Sequence, residues 1–168
     1  KLTNIYNKDV LEIGPGKGAL TEKILKYSPK SLVLIEKDNV LSNNLKLKYR
    51  QNKNIKVLNN DILKTNLDKI LKKDSIIFGN LPYNISSQIL VNIIKLNLWP
   101  PKYSDLIFMF QKELSERIVG KPGTKKYGRL SVLSNYKLAI INKFDVSPNC
   151  FLPKPKVFST VLHFKPKK

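Results

Sequence analysis

Short apolar runs alternate with amphipathic stretches along most of the chain. The first run, Asp9–Ile13 (D-V-L-E-I), leads into Gly14-Pro15-Gly16-Lys17-Gly18. After it Ala19, Leu20, Ile24 and Leu25 keep a helical period until Ser28-Pro29, where proline stops it. A second strand is expected over 31–35, a helix over 39–49 with Val40, Leu41, Leu45 and Leu47 at adequate spacing, and a third strand over 55–58. Residues 74–78 read as a buried strand end, followed by the turn Phe78-Gly79-Asn80-Leu81-Pro82-Tyr83-Asn84. A helix carrying Ile85, Ile89, Leu90, Ile93 and Ile94 comes next, and Trp99-Pro100-Pro101 breaks the chain. Residues 106–110 form the next expected strand, ending in Gln111-Lys112-Glu113 and a short helix. Residues 120–126 read as a mobile basic loop, 130–138 and 157–164 as late strands, and 147–156 as a proline-rich shaped loop. This order predicts a single α/β domain, a mostly parallel sheet with helices on both faces.

At 168 residues the chain is long enough to bury roughly two-thirds of its unfolded surface. No apolar run reaches the roughly 18 residues that span a bilayer. The one cysteine, Cys150, rules out an internal disulfide framework and suits a reducing, cytoplasmic compartment. Charge changes the picture more. The net charge is +19, with 31 basic against 12 acidic residues, which points to a polyanionic partner, nucleic acid ahead of membrane. All but three of those basic residues are lysine, so composition alone accounts for part of the excess.

Gly14, Gly16 and Gly18 form G-x-G-x-G, a turn that lets a ligand approach the backbone closely. The spacing is wrong for a pyrophosphate site, and Glu12 would repel one. A carboxylate there suits an ammonium group, which favours S-adenosylmethionine over a nicotinamide cofactor. Glu36, at the end of the second strand, is placed to accept from both ribose hydroxyls. Asp61, ending the third, can accept from an exocyclic adenine amino group, with Ile62 packed on the ring.

The turn after the fourth strand supplies the chemistry. An adenine N6 is a poor nucleophile because its lone pair is delocalised into the ring. The Asn80 amide oxygen and the Leu81 carbonyl could accept its two hydrogens, drawing the nitrogen toward a tetrahedral shape. Pro82 stiffens the turn, and Tyr83 offers a face on which the base stacks, worth ~1–3 kcal/mol. No strong general base is needed, and no metal-ligand cluster stands out in the sequence. Cys150 reads as a small buried residue and His163 as an ordinary strand residue, neither with partners for nucleophilic or metal chemistry, and Trp99 as a packing anchor.

Seven blocks carry a family resemblance: V-L-E-I-G-P-G-K-G-A-L-T (10–21), I-E-K-D (35–38), N-D-I-L (60–63), F-G-N-L-P-Y-N-I-S (78–86), Q-K-E (111–113), K-Y-G-R-L-S-V (126–132) and F-L-P-K-P-K-V-F-S (151–159). Together the chain resembles the rRNA adenine N6-dimethyltransferase family of the small-subunit type. The resemblance implies a Rossmann-like class I methyltransferase fold, a mostly parallel seven-stranded sheet whose last strand is antiparallel. It implies that Glu12, Gly14, Gly16, Glu36, Asp61 and Asn80 hold S-adenosylmethionine. It further implies that Asn80, Leu81, Pro82 and Tyr83 clamp the target amino group, with Phe151 sandwiching the flipped base opposite Tyr83. Family members dimethylate two neighbouring adenines in the terminal hairpin loop of small-subunit rRNA, where unstacked bases are cheap to extrude. The basic loop 120–126 and Arg129 are candidate RNA-backbone contacts, and a monomer acting on a small-subunit precursor is expected.

Family members also carry an N-terminal Q-N-F-L-type segment and a helical C-terminal domain that contacts RNA. This chain reads as starting after the first and stopping before the second, a fragment or a reduced version. Two other readings compete: a large-subunit rRNA adenine methyltransferase of the antibiotic-resistance type, and a non-catalytic ribosome-assembly or transcription factor that kept the pocket. Resistance enzymes tend to have I-P-Y where Leu81 stands, and the intact Asn80–Tyr83 turn argues for retained chemistry. A nicotinamide dehydrogenase lacks its glycine spacing and a proton donor near the turn.

Overall fold

The apolar runs pair into one seven-stranded sheet in the computed structural model, which describes residues 3–151 and 154–167. The strands are β1 (Asp9–Ile13), β2 (Ser31–Glu36), β3 (Ile55–Asn59), β4 (Ser75–Asn80), β5 (Tyr103–Gln111), β6 (Leu138–Val146) and β7 (Ser159–Pro166). The α-helices among the described residues are α1 (Ala19–Leu25), α2 (Asn39–Lys48), α3 (Ser86–Ile94), α4 (Lys112–Ile118) and α5 (Arg129–Lys137). The strand order is β3-β2-β1-β4-β5-β7-β6. The sheet is parallel except for β7, which runs antiparallel between β5 and β6. No helix among the described residues is long and apolar enough to cross a membrane.

The period-2 alternation of each central strand splits its side chains between two cores. Val10, Leu32, Leu34, Ile76 and Ile107 face one layer, where Ile24 of α1 and Leu45 of α2 cover them. Leu11, Ile13, Ile35, Ile77, Leu106, Phe108 and Phe110 face the other, covered by Ile89, Leu90, Ile93 and Ile94 of α3 and Ile118 of α4. The apolar stripe read from sequence on 85–94 is therefore the buried face of α3.

Two late elements differ from the sequence reading. Residues 130–138, expected as a strand, form α5, and the sixth strand is β6 just after it. The fully buried positions of α5 are Ser131 and Ser134, with Leu130 and Leu133 partly buried against the core and Val132 and Tyr136 exposed, so its apolar residues follow no clean stripe. The seventh strand starts at Ser159, later than expected. Cys150 is exposed rather than buried. His163 is buried in β7, its Nε2 lying 2.6 Å from Asp105 Oδ1. Trp99 is the packing anchor it was read as, its indole N–H donating to the Lys167 carbonyl at 2.9 Å. Leu152 and Pro153 of the expected shaped loop lie outside the described residues; before them, Pro148–Cys150 makes a single 3-10 turn.

Where β4 hands the chain to α3, packing depends on a missing side chain. A Cβ on Gly79 would sit 2.5 Å from Leu81 Cδ2 and 3.1 Å from Phe108 Cδ1. Leu81 fills that space and is 2% exposed. Gly79→Ala should therefore destabilise the protein by about 1–3 kcal/mol, the range for an overpacked core. Urea unfolding measures this, and adding Leu81→Ala should return part of the loss. A Gly79→Ala protein as stable as wild type would mean that Leu81 relaxes without cost.

Candidate active site

Parallel strands deliver their carboxyl ends to one edge of the sheet, and β1, β2, β3 and β4 end there in sequence-distant loops. Behind β1 comes the glycine turn. Gly14 and Gly16 have φ of 65° and 58°, the left-handed region that favours glycine. The Gly14 N–H donates to the Ile35 carbonyl at 2.9 Å, tying the turn to β2. A Cβ on Gly14 would lie 3.9 Å from both the Asn80 carbonyl oxygen and Pro82 Cδ, whereas one on Gly16 would meet nothing within 4 Å. The glycine turn and the Asn80–Tyr83 turn are thus neighbours, with open space over Gly16.

Three acids stand around this space, each held differently. Glu12 shares its face of β1 with Val10, pointing toward α1, and is 1% exposed. Thr21 Oγ1 donates to its Oε2 at 2.7 Å. Burial pushes the Glu12 carboxyl up to about 7, against the opposing pull of the Thr21 bond. Glu36, at the end of β2, accepts from the Gly16 N–H at 3.0 Å and from the Asp38 N–H at 2.9 Å. Asn59, at the end of β3, donates to the Glu36 and Lys37 carbonyls at 3.0 and 3.1 Å and braces the same corner. Asp61 caps the 3-10 turn Ile62–Lys64, accepting from the Leu63 N–H at 2.9 Å, and its Oδ2 lies 3.0 Å from Lys37 Nζ. The Lys37 ammonium and the Leu63 N–H hold its carboxyl below the usual value. Ile62 beside it is half-buried against the core.

The turn after β4 alternates outward and inward. Asn80 is exposed, Leu81 buried, Pro82 exposed and Tyr83 half-buried. The Pro82 carbonyl accepts from the Ile85 N–H at 3.2 Å, and the Tyr83 carbonyl from Ser86 Oγ at 3.1 Å. Tyr83 Oη lies 2.8 Å from Ser159 Oγ at the start of β7. Phe151 is half-buried just past the 3-10 turn, its N–H bonded to the Pro148 carbonyl at 3.2 Å. The ring pair in contact among the described residues is Phe108–Phe110, not Phe151–Tyr83.

The edge thus gathers Glu12, Gly14, Gly16, Glu36, Asp61, Ile62, Asn80, Leu81, Pro82 and Tyr83. Four residues that hold them were not singled out from sequence: Thr21, Lys37, Asn59 and Ser159. The first three stand inside or beside quoted blocks, so spacing from Glu12, Glu36 and Asp61 was an available signal. Ser159 ends the block 151–159, but it is 76 residues from Tyr83 and nothing in the sequence links the two.

A sequence-family model described as ribosomal RNA adenine dimethylase matches residues 2–168. The chain belongs to that family. Among its relatives is the ribosomal RNA small subunit methyltransferase A of Pelagibacter ubique, 46% identical over 99% of this chain and 63% of that protein. The protein of the same name from a Wolbachia of Brugia malayi is 39% identical over 97% of this chain and 62% of its own length. A dimethyladenosine transferase from Plasmodium falciparum superposes with a TM-score of 0.83 at 30% identity, covering 99% of this chain and 58% of that one. The 23S rRNA methyltransferase ErmE gives 0.76 at 25%, covering 97% and 63%. The chain therefore spans less than two-thirds of the length of these relatives.

The buried Glu12 gives a pH test for this family member. Its folded value, about 7, lies above the ordinary 4.5. Between those values the folded protein keeps a proton that the unfolded chain has released. Stability therefore falls as pH rises through this window, by about 3 kcal/mol in all. Urea unfolding at about pH 5 and pH 8 should show wild type losing more stability than Glu12→Gln across that interval. Parallel profiles would show that Glu12 ionises freely.

Proposed function

We propose that residues 1–168 act as a methyltransferase catalytic domain. The reaction is transfer of methyl groups from S-adenosylmethionine to N6 of two adjacent adenines in the 3′-terminal hairpin loop of small-subunit rRNA, dimethylating each. It belongs to maturation of the small subunit, in the cytoplasm, with a precursor subunit as partner and the chain acting as a monomer. The observation that carries this reading is the exposed Asn80 side chain at the carboxyl end of β4, beside the Gly14 turn.

The donor set fits this cofactor. Open space over Gly16 admits a ligand to the backbone, and Glu36 has a carboxylate already oriented by two N–H donors. Glu36 would take the ribose hydroxyls, Asp61 the adenine amino group and Ile62 the adenine face. Glu12 would support the ammonium end, with Gly14 and Gly16 as the floor. When bound, S-adenosylmethionine supplies an electrophilic methyl group on a sulfonium centre.

The chain's own residues do the rest. The Asn80 amide oxygen and the Leu81 carbonyl accept the two N6 hydrogens of the target, which localises the nitrogen lone pair and aims it. Burial of Leu81 and the fixed φ of Pro82 hold those two acceptors in place. Tyr83 and Phe151 are the walls that stack the extruded base. Rate comes chiefly from positioning. A net charge of +19 suits an RNA substrate, with 120–126 and Arg129 as backbone contacts. The relatives named ribosomal RNA small subunit methyltransferase A, at up to 46% identity, favour the small-subunit target over that of ErmE.

Asn80→Ala should abolish methyl transfer to under-methylated small subunits while leaving affinity for S-adenosylmethionine within about an order of magnitude. Labelled-methyl incorporation with primer-extension mapping reads both the loss and the target, and wild-type turnover in the variant would refute the amino clamp. Glu36→Ala should weaken cofactor binding by ~1–3 kcal/mol, as loss of a buried charged acceptor does. Calorimetry showing equal affinity would remove Glu36 from the ribose.

A further inference from the structure

The Tyr83 hydroxyl is not free at the mouth of the site. Its Oη lies 2.8 Å from Ser159 Oγ, and Ser159 is fully buried. Ser159 opens β7 and is held from both sides, paired with Gln111 of β5 and Val146 of β6. Because β7 is antiparallel, its first residue arrives at the edge where β1 to β4 end. Tyr83 is fixed at its backbone as well, through the Ser86 hydroxyl on its carbonyl. An aromatic ring pinned at its backbone and at its hydroxyl keeps its long axis in one place, and turning about that axis leaves the bond intact. If the ring swung away, the Ser159 hydroxyl would be buried without a partner, so the bond resists that motion.

We propose that Ser159 is a positioning residue, setting where the Tyr83 ring axis lies and so the slot that receives the target base. This rests on the reading of Tyr83 as a stacking wall. It also limits what Tyr83 does: its phenol is committed to Ser159, and its contribution is the ring face rather than proton transfer.

The test uses the 168-residue chain with Ser159→Ala, Tyr83→Phe and the double variant. Each single change removes the same bond, so each should lower kcat on under-methylated small subunits about fivefold. The double variant should be no slower than either single, and KM for S-adenosylmethionine should not move. A wild-type kcat in Ser159→Ala, or losses that multiply in the double variant, would overturn the proposal. A second readout needs no turnover: fluorescence of a single-stranded RNA carrying 2-aminopurine at the target position. Wild type should quench it, Tyr83→Ala should not, and Ser159→Ala should fall between. Quenching in Ser159→Ala equal to wild type would overturn the tether even if its fold were perturbed. Equal signals from wild type and Tyr83→Ala would remove the stacking wall and the proposal with it. Normal quenching by a wild type that transfers no methyl group would sink the methyltransferase reading and leave the tether standing.

Discussion

Leu81 is buried in the space that a side chain on Gly79 would occupy, and the geometry of the site follows from that contact. With Leu81 turned into the core between β4 and α3, the residues on either side of it must turn out. Asn80 and Pro82 are exposed for this reason, and the Asn80 carbonyl comes up against the Gly14 turn. An apolar anchor thus orients polar groups that have few interactions of their own to hold them. Such an anchor has a clear advantage at a site meant for a ligand. A hydrogen bond holding the Asn80 side chain would compete with the substrate, whereas burial of its neighbour does not.

Most of this was legible in the sequence because the central strands and α3 are buried on both sides or along one stripe. Runs such as 76–78 and 106–110 are apolar throughout, 9–13 has Val10, Leu11 and Ile13, and 85–94 repeats at helical spacing. The late elements lacked that signal. α5 turns serines inward and leaves Val132 and Tyr136 in solvent, so its apolar residues fall where a strand pattern would put them. β6 is an edge strand, mostly exposed, with a register shift between Ile140 and Asn142 that interrupts alternation. Leu130 and Leu133 of α5 and Leu138 and Ile140 of β6 do pack on the core, but they are too few and too closely spaced to report a period. The acids were legible one by one from their places at strand ends, but their partners were not. Some partners are local, Asp38 to Glu36 and Leu63 to Asp61, but Gly16 reaches Glu36 and Lys37 reaches Asp61 only once the chain has folded.

Those partners show how a +19 protein keeps three carboxylates in one small space. Glu12 is desolvated and takes up a proton near neutrality, Glu36 is satisfied by two backbone N–H groups, and Asp61 pairs with Lys37. The three solutions differ in how they would answer a cationic ligand. Glu36 needs no rearrangement, because its donors fix its direction and leave lone pairs over. Asp61 would exchange or share a lysine that is 73% exposed, at little cost. Glu12 alone would change charge, since a nearby positive group lowers a carboxyl's affinity for its proton.

The single antiparallel strand among those described is what joins this acid-lined side of the candidate site to its aromatic side. Had β7 run parallel to its neighbours, its carboxyl end would reach the ligand edge, and Ser159 would lie at the opposite end of the sheet. Reversal instead brings up the residue that touches Tyr83, eight positions after Phe151 in the chain. Both aromatic residues assigned to the base slot are thereby tied to the start of one strand, Tyr83 by a hydrogen bond and Phe151 by a short length of chain. Pairing of β7 on both sides makes that start rigid, whereas a strand at the sheet edge would be held on one side only. The reversed strand therefore belongs inside the sheet, between β5 and β6, and the exposed edge falls to β6, which carries none of the candidate site residues.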